Sequence, residues 1–226
     1  MRSTVAFIGL GAMGYPMAAR IAATDVALHV FDIAQANAAR FAAEHAARAC
    51  SSPAEAVARA DFVITMLPSS TEVEATLLSP DVKRAMRRGA TVVDMSSSEP
   101  MRTRTLAQSL EADGVALVDA PVSGGVKKAR DGSLSIMFGG SQAQLEACTP
   151  LLSCMGARIF RTGEVGSGHA MKALNNFVSA AGLVAAVEAL HIGEKFGLDP
   201  HVMTSILNAS TGKNNTTENK VEQFML

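Results

Sequence analysis

The sequence predicts an α/β fold in which a doubly wound, mainly parallel sheet is followed by an all-α region that begins with a long helix. Three observations support this fold class. Short apolar runs alternate with helical patterns along most of the 226 residues, as is typical of βαβ units. A glycine-rich turn follows the first apolar run, and strand patterns stop near residue 162. We therefore predict a sheet-containing domain over 1–162 and a helical domain over 163–226.

The composition excludes several classes of function. The formal net charge is −1, so the chain lacks the basic footprint of a protein that binds nucleic acid or an anionic membrane surface. Apolar residues make up 48% of the chain, which is enough for a substantial core. No apolar run reaches the ~18 residues that a membrane span requires. We expect no nucleic-acid partner and no membrane association.

The cysteines and the N-terminal residues bear on localisation. Cys50, Cys148 and Cys154 lack metal-ligand spacing, which indicates free, buried thiols in a reducing compartment. Arg2 and the apolar residues after it loosely imitate a secretory signal, but the glycine spacing explains the same residues better. We therefore expect a cytoplasmic protein without a metal site.

The first strand and the first helix flank a Gly-x-Gly-x-x-Gly turn. An apolar run over 5–8 precedes the turn and an alanine-rich helical segment over 15–23 follows it, which is the context that a Rossmann-type dinucleotide site needs. Gly9 would permit the tight turn, Gly11 would leave room for a pyrophosphate, and Gly14 would let the helix pack closely. The alternative is an ordinary glycine-rich turn. The candidate cofactor-binding residues here are Gly9, Leu10, Gly11, Ala12, Met13 and Gly14.

Asp32 ends the second predicted strand, 26–31. It lies 18 residues after Gly14, close to the ~20-residue spacing expected for the acid that binds the adenosine ribose. A carboxylate there accepts hydrogen bonds from the ribose hydroxyls and repels a 2′-phosphate. Because no arginine follows at once, NAD is favoured over NADP. Capping of the next predicted helix, 35–45, is the alternative role of Asp32.

Strands and helices continue to alternate after residue 45. Ser52 and Pro53 mark a helix start, since a capping side chain precedes a proline at the first helical position. The strand that Pro68 ends is strongly patterned as a buried strand. The predicted strands cover 47–50, 61–67, 90–95 and 115–119, and the predicted helices that follow Pro68 cover 71–78 and 99–113.

The loops at the carboxyl ends of these strands are candidate ligand contacts, because ligands bind there in open parallel sheets. Pro68, Ser96 and the segment 119–121 lie at such ends. An ordinary connecting loop is the alternative at Pro68 and Ser96.

A Ser-Gly-Gly sequence follows the strand that ends at Asp119. Ser123, Gly124 and Gly125 would expose backbone N–H groups beside a hydroxyl, which suits a carboxylate, and a flexible turn is the alternative. A polar stretch comes next. The apolar run after it predicts an antiparallel strand at the sheet edge. The remaining predicted elements of this domain are the strand 134–138, the helix 141–153 and the strand 157–160.

One long helical segment, 171–196, replaces the strand patterns in the last part of the chain. Its apolar residues recur with helical spacing, and Gly197 ends it. Asp199 and Pro200 open a further predicted helix that ends near residue 208. Residues from Ser210 onward are polar and weakly patterned, so no element is predicted there.

Lys172 and Asn176 share one face near the start of the long helix, because they are four residues apart. Lys172 has apolar neighbours in the chain. Desolvation lowers the pKa of a lysine and lets it exchange a proton near neutral pH. A solvated surface lysine is the alternative, and His169 is a rival proton carrier.

Three separated motifs, in this order, resemble the β-hydroxyacid dehydrogenases. This family includes 3-hydroxyisobutyrate dehydrogenase and tartronate semialdehyde reductase, with 6-phosphogluconate dehydrogenase as a more distant relative. The resemblance extends from residue 4 to about residue 210. The motifs are Gly-Leu-Gly-Ala-Met-Gly over 9–14, Asp-Ala-Pro-Val-Ser-Gly-Gly over 119–125 and Gly-Ser-Gly-His-Ala-Met-Lys-Ala-Leu-Asn-Asn over 166–176.

The resemblance implies an NAD(P)-dependent 3-hydroxyacid dehydrogenase that transfers a hydride between NAD(H) and a small 3-hydroxy carboxylic acid. Lys172 would be the general acid/base, and Asn176 would orient Lys172 and the substrate. The remaining roles are cofactor binding by the first motif and Asp32, contact with the nicotinamide side by Met66, Leu67, Pro68 and Ser96, and binding of the substrate carboxylate by Ser123, Gly124 and Gly125.

The sequence departs from the family in length, since family members carry several further helices. We expect an exposed apolar flank on the long helix, and the resemblance implies a homodimer or homotetramer that packs through it. A shortened chain leaves two alternatives open. One is a non-catalytic protein that binds NAD, and the other is a reductase of imines or of another short-chain carbonyl compound on the same scaffold.

Overall fold

The computed structural model describes residues 2–226. The chain divides into two compact units, Met1–Lys172 and Ala173–Leu226. A nine-stranded sheet lies within the first unit. The strands are β1 (Thr4–Ile8), β2 (Ala27–Phe31), β3 (Ala47–Ala49), β4 (Phe62–Thr65), β5 (Thr91–Asp94), β6 (Ala116–Asp119), β7 (Val122–Ser123), β8 (Leu134–Gly139) and β9 (Gly156–Gly163).

The order of the strands confirms the doubly wound fold class. Strands β3, β2, β1, β4, β5 and β6 are neighbours in that order and run parallel. The order reverses between β1 and β4, which is the point where ligands bind in such sheets. Strand β8 is antiparallel to β6 and β7, as predicted. It does not form the edge, however, because β9 pairs with it in parallel.

Helices cover both faces of the sheet, so the central strands are apolar on both sides. Val5 and Phe7 of β1 belong to one buried cluster, and Ala6 and Ile8 belong to the other. The helices of this unit are α1 (Gly14–Ala22), α2 (Gln35–Glu44), α3 (Pro53–Val57), α4 (Ser70–Leu77), α5 (Pro80–Ala85), α6 (Pro100–Glu111), α7 (Gly125–Asp131) and α8 (Gln142–Leu152).

Capping residues explain where several helices start. One of these helices, α5, was not predicted by the sequence analysis. The Ser52 hydroxyl accepts a hydrogen bond from the Glu55 N–H at 3.1 Å, so α3 begins at the predicted position. Ser79 caps α5 in the same manner.

Helix α7 occupies the polar stretch after Gly125, where no helix was predicted. Its one buried side chain, Ala129, is too little to produce a visible apolar period.

The second unit is helical. Its first helix is the long helix that the sequence predicts. Helix α9 (Ser167–Phe196) starts within the first unit and continues into the second. Helix α10 (Pro200–Ala209) follows, capped by Asp199. The weakly patterned tail also forms α11 (Asn215–Asn219) and α12 (Val221–Phe224), which were not predicted. Asn214 and Thr217 form a reciprocal capping box there.

The length and hydropathy of α9 correct one statement of the sequence analysis. An 18-residue window of this helix has a mean hydropathy of 1.4, and 11% of that window is buried. By length and composition alone, α9 could therefore cross a membrane, because its polar residues are few. One helix of this kind is weak evidence for a membrane protein, since the core helix of a soluble protein and a signal sequence meet the same criteria.

Candidate active site

The turn between β1 and α1 has the geometry that its three glycines predict. Gly9 has a φ of +100°, and a Cβ on this residue would overlap the Met66 carbonyl oxygen. A Cβ on Gly14 would overlap the Gly9 carbonyl oxygen, so the helix packs directly on the strand end. At Gly11, by contrast, an added Cβ would meet nothing within 4 Å. The first and third glycines are thus required by packing, while the second faces open space.

An open cleft of about 770 Å³ lies over this turn. Among the described residues, no side chain caps the first turn of α1, so the start of this helix is available to an anion. Arg20, Arg40 and Arg130 also line the cleft and make it basic. The residues present therefore fit the phosphates of a dinucleotide.

Asp32 connects the glycine turn to the start of α2. Its Oδ2 accepts a hydrogen bond from the Leu10 N–H at 2.7 Å, and its Oδ1 accepts one from the Ala34 N–H at 2.9 Å. The Asn37 amide donates to the same Oδ1 at 3.2 Å. Asp32 is 8% exposed. A carboxylate accepts more bonds than these, so the structural role leaves the predicted ribose contact open.

The two loops predicted beside the nicotinamide are joined to each other. The Ser96 hydroxyl accepts a hydrogen bond from the Leu67 N–H at 2.9 Å. Asp94 holds this loop through the Ser96 N–H at 3.1 Å. Ser96 is buried, Met66 and Leu67 are half-buried, and Pro68 is exposed. Ser96 therefore shapes the loop of Leu67, and its own hydroxyl points into the protein.

Lys172 lies beside the Ser-Gly-Gly segment. Its Nζ donates a hydrogen bond to the carbonyl oxygen of Val122 at 2.7 Å, and Ser123 is the next residue. Gly124 and Gly125 have φ values of +136° and +68°, which other residues rarely adopt. The structure thus brings together the proton carrier and the carboxylate-binding segment predicted from the sequence.

Burial gives Lys172 the property that the sequence suggested. The side chain is half-buried, and this desolvation lowers the pKa of the Lys172 ammonium below its usual value. A lysine with a lowered pKa releases and takes up a proton closer to neutral pH.

His169, the rival proton carrier of the sequence analysis, is held by protein groups. It is 1% exposed, and both ring nitrogens have partners. Nε2 lies 3.1 Å from the Ser96 carbonyl oxygen, and Nδ1 lies 2.9 Å from the Thr103 hydroxyl. Lys172, which is half-buried, is therefore the more accessible of the two candidates.

Asp119 is the residue that sequence reasoning missed. It was quoted within a motif and within the candidate ligand-contact segment 119–121, but it was given no role of its own. The structure buries it completely at the end of β6, where its carboxylate accepts hydrogen bonds from the Gly166 and His169 N–H groups at 2.7 and 2.8 Å. Burial raises the pKa of the Asp119 carboxyl, while the nearby His169 ring and the two N–H donors oppose that rise. A charged residue at a strand end, inside a motif, was the available indication.

The other predicted residues lie as follows. Asn176 is exposed and belongs to the second unit, one helical turn beyond Lys172 in α9. Cys50 and Cys148 are buried, Cys154 is half-buried, and all three are free thiols. Over residues 2–226, no group of three or more His, Cys, Asp and Glu side chains is arranged to hold a metal ion.

Two protein families match successive parts of the chain. Residues 4–163 match the NAD binding domain of 6-phosphogluconate dehydrogenase. Residues 166–226 match a family described as NAD-binding of NADP-dependent 3-hydroxyisobutyrate dehydrogenase. The two matches meet just before α9.

Individual relatives agree with these families. The 2-(hydroxymethyl)glutarate dehydrogenase of Eubacterium barkeri is 39% identical over 223 residues, which are 98% of this chain and 74% of that protein. The mitochondrial 3-hydroxyisobutyrate dehydrogenase of Homo sapiens is 37% identical over 213 residues, which are 94% of this chain and 63% of that protein. The chain therefore spans less than two thirds of the human relative.

A solved structure extends the agreement to three dimensions. The 3-hydroxyisobutyrate dehydrogenase of Mycobacterium tuberculosis, solved with L-serine, has a TM-score of 0.90 and 36% identity, covering 97% of this chain and 74% of that chain. Sequence motifs, strand order and relatives thus lead to one conclusion. The chain belongs to the β-hydroxyacid dehydrogenase family, whose members are oxidoreductases that use a nicotinamide dinucleotide.

Proposed function

We propose that this chain transfers a hydride between NAD(H) and a small 3-hydroxy carboxylic acid, with Lys172 as general acid/base. The observation that supports this most is the 2.7 Å hydrogen bond between the Lys172 Nζ and the Val122 carbonyl oxygen. It holds a half-buried amine one residue away from the segment proposed to bind the substrate carboxylate. A general acid/base must be placed within hydrogen-bond reach of the proton that it moves.

The glycine turn and Asp32 are the proposed cofactor site. The N–H groups at the start of α1 would bind the pyrophosphate, and Asp32 would bind the adenosine ribose. The Asp32 carboxylate favours NAD over NADP, because it would repel a 2′-phosphate. When bound, the dinucleotide supplies the hydride acceptor for oxidation or the hydride donor for reduction.

The chain itself supplies orientation and proton transfer. Ser123, Gly124 and Gly125 would fix the substrate carboxylate through a hydroxyl and backbone N–H groups. In oxidation, Lys172 would take the proton of the substrate hydroxyl. In reduction, the protonated Lys172 would donate it to the forming alkoxide. Asn176 remains the proposed orienting residue for the substrate.

The second unit supports a proposal about assembly and localisation. Its helices expose large apolar side chains, among them Phe177, Val178, Ile192 and Phe196. Exposed apolar patches of this kind mark interfaces. We propose a homodimer or homotetramer that forms through α9, in the cytoplasm.

A substrate panel tests the proposed activity. The chain would be assayed for NAD-linked oxidation of 3-hydroxyisobutyrate, glycerate, threonate, 4-hydroxybutyrate, serine and 2-(hydroxymethyl)glutarate, with NADH binding followed by fluorescence. We expect turnover with at least one 3-hydroxy acid and none with its carboxamide, because the carboxylate is the group that Ser123–Gly125 would hold.

Two results would replace the proposal. Binding of NADH without turnover of any compound would favour the non-catalytic alternative. Oxidation of amines, but not of alcohols, would favour the imine reductase alternative.

A further inference from the structure

We propose that Asp119 and His169 are positioning residues, which hold the first turn of α9 and thereby fix Lys172 relative to the Leu67 loop. This inference rests on the proposed function for its kinetic consequences, but not for its structural ones. Both residues are buried and engaged by protein groups, so the role proposed for them is one of positioning.

The Asp119 carboxylate caps the start of α9. The N–H groups in the first turn of a helix have no partner within the helix, and the positive end of the helix dipole lies there. The Asp119 carboxylate, which comes from β6, accepts hydrogen bonds from the N–H groups of Gly166 and His169. A distant acid therefore takes the place of a local capping residue.

The backbone on both sides is shaped around this carboxylate. A Cβ on Gly139 would overlap the Asp119 Oδ1 atom, and a Cβ on Gly168 would lie 2.9 Å from the Oδ2 atom and overlap the Met137 carbonyl oxygen. Gly166 has a φ of +89°. Gly139 and Gly168 thus allow β8 and the helix start to approach Asp119 closely.

The His169 ring connects the start of α9 to the nicotinamide-side loops. Because a carbonyl oxygen only accepts, Nε2 must donate to the Ser96 carbonyl oxygen, while Nδ1 pairs with the Thr103 hydroxyl. The Ser96 hydroxyl in turn binds the Leu67 N–H. The ring also lies between two buried carboxylates, with Nε2 3.8 Å from an Asp94 oxygen and Nδ1 3.7 Å from an Asp119 oxygen.

These contacts join the proposed proton carrier to the proposed cofactor loop. Lys172 follows His169 by one helical turn, so any shift of the helix start moves the Lys172 side chain as well. A displacement of about 1 Å at a reacting group lowers turnover by about 10²-fold. Loss of the His169 ring should therefore act on kcat.

The test compares His169→Leu with His169→Gln. Glutamine offers one donor for the Ser96 carbonyl and one acceptor for the Thr103 hydroxyl, and leucine offers neither. We expect His169→Leu to lower kcat by about 10²-fold with a smaller change in KM, and His169→Gln to stay within a few-fold of the wild type. Thr103→Val keeps the volume and removes the hydroxyl, with its contacts to the His169 ring and to the Glu99 carbonyl oxygen, and it should give a smaller loss of kcat. Val57→Ala, which truncates a buried side chain on α3, serves as a control for a general loss of stability.

Amide hydrogen exchange of residues 166–172 tests the same inference without turnover. In Asp119→Asn, the side-chain N–H group would face the backbone N–H of Gly166 or His169. Amide exchange over 166–172 should therefore accelerate about tenfold or more. His169→Leu should do the same, and Val57→Ala should not. If the wild type shows no turnover with any substrate, the proposed function fails, and this exchange measurement alone decides the positioning role.

Three outcomes would overturn the inference. One is an unchanged kcat in His169→Leu together with unchanged exchange. Another is an equal fall of kcat in Val57→Ala. The third is a glutamine variant as impaired as the leucine variant, since the hydrogen bonds would then not matter.

Discussion

The Lys172 ammonium donates a hydrogen bond to the Val122 carbonyl oxygen, across 50 positions of sequence. This bond connects the start of α9 to β7, the strand that precedes Gly124. The contact explains why a lysine with apolar neighbours is retained at a half-buried position. It also makes the burial of Lys172 measurable through stability.

The stability of Lys172→Met relative to the wild type should be greater at neutral pH than at high pH. Burial lowers the pKa of Lys172 in the folded state, whereas the unfolded chain has the ordinary value of about 10.4. Between these two values the unfolded state binds more protons, so the stability of the wild type rises with pH. The advantage of the variant should therefore shrink as pH rises towards about 10.4. Urea unfolding at several pH values checks this, and a difference independent of pH would contradict it.

Gly11→Ala and Gly14→Ala should separate binding from folding. A Cβ at Gly11 meets no protein atom within 4 Å, so this variant should keep its stability and bind NADH more weakly. A Cβ at Gly14 overlaps backbone, so that variant should lose about 1–3 kcal/mol of stability. Denaturant unfolding and NADH titration measure the two effects. Equal effects of the two variants on stability would refute this division.

Asp32→Asn should disturb both the turn and the cofactor preference. The Asp32 carboxylate faces only donors, from Leu10, Ala34 and Asn37, and an amide N–H would oppose one of them. We expect a loss of about 1–3 kcal/mol and a smaller preference for NADH over NADPH. Asp25→Asn is the matched control, because Asp25 is exposed and pairs with Arg2 on the surface. Unchanged cofactor preference would argue against the ribose role.

The three thiols should differ in reactivity. Burial raises the pKa of Cys148 to about 12, and the reactive form of a thiol is the thiolate. Burial also raises the pKa of Cys50 and Cys154, but Cys154 is half-buried and accessible. Iodoacetamide at about pH 8 should label Cys154 first and Cys148 only after unfolding. Rapid labelling of Cys148 in the native protein would show that its helix opens.

Local patterns were sufficient for most of the fold. Apolar runs and glycine positions predicted β1 to β6 and α9, because these elements are long or strongly apolar. Helices α5, α7, α11 and α12 were missed, since each has seven residues or fewer and one or two buried side chains. Such helices depend on capping and on packing against distant segments.

The candidate site was predictable only in part. Gly9–Gly14, Ser123 and Lys172 belong to motifs that can be recognised from neighbouring residues. The role of Asp119 depends on contacts 47 and 50 residues away, and that of His169 on contacts with Ser96 and Thr103. Periodicity carries no information about such pairs, so the sequence left His169 open as a rival proton carrier.

The turnover of Lys172→Met at saturating NAD and substrate tests the central claim most directly. Lys127→Met is the control, because Lys127 is exposed on α7. We predict that Lys172→Met loses about 10²- to 10⁴-fold in kcat while NADH binds as in the wild type, and that Lys127→Met keeps its activity. Turnover of Lys172→Met close to that of the wild type would contradict the account.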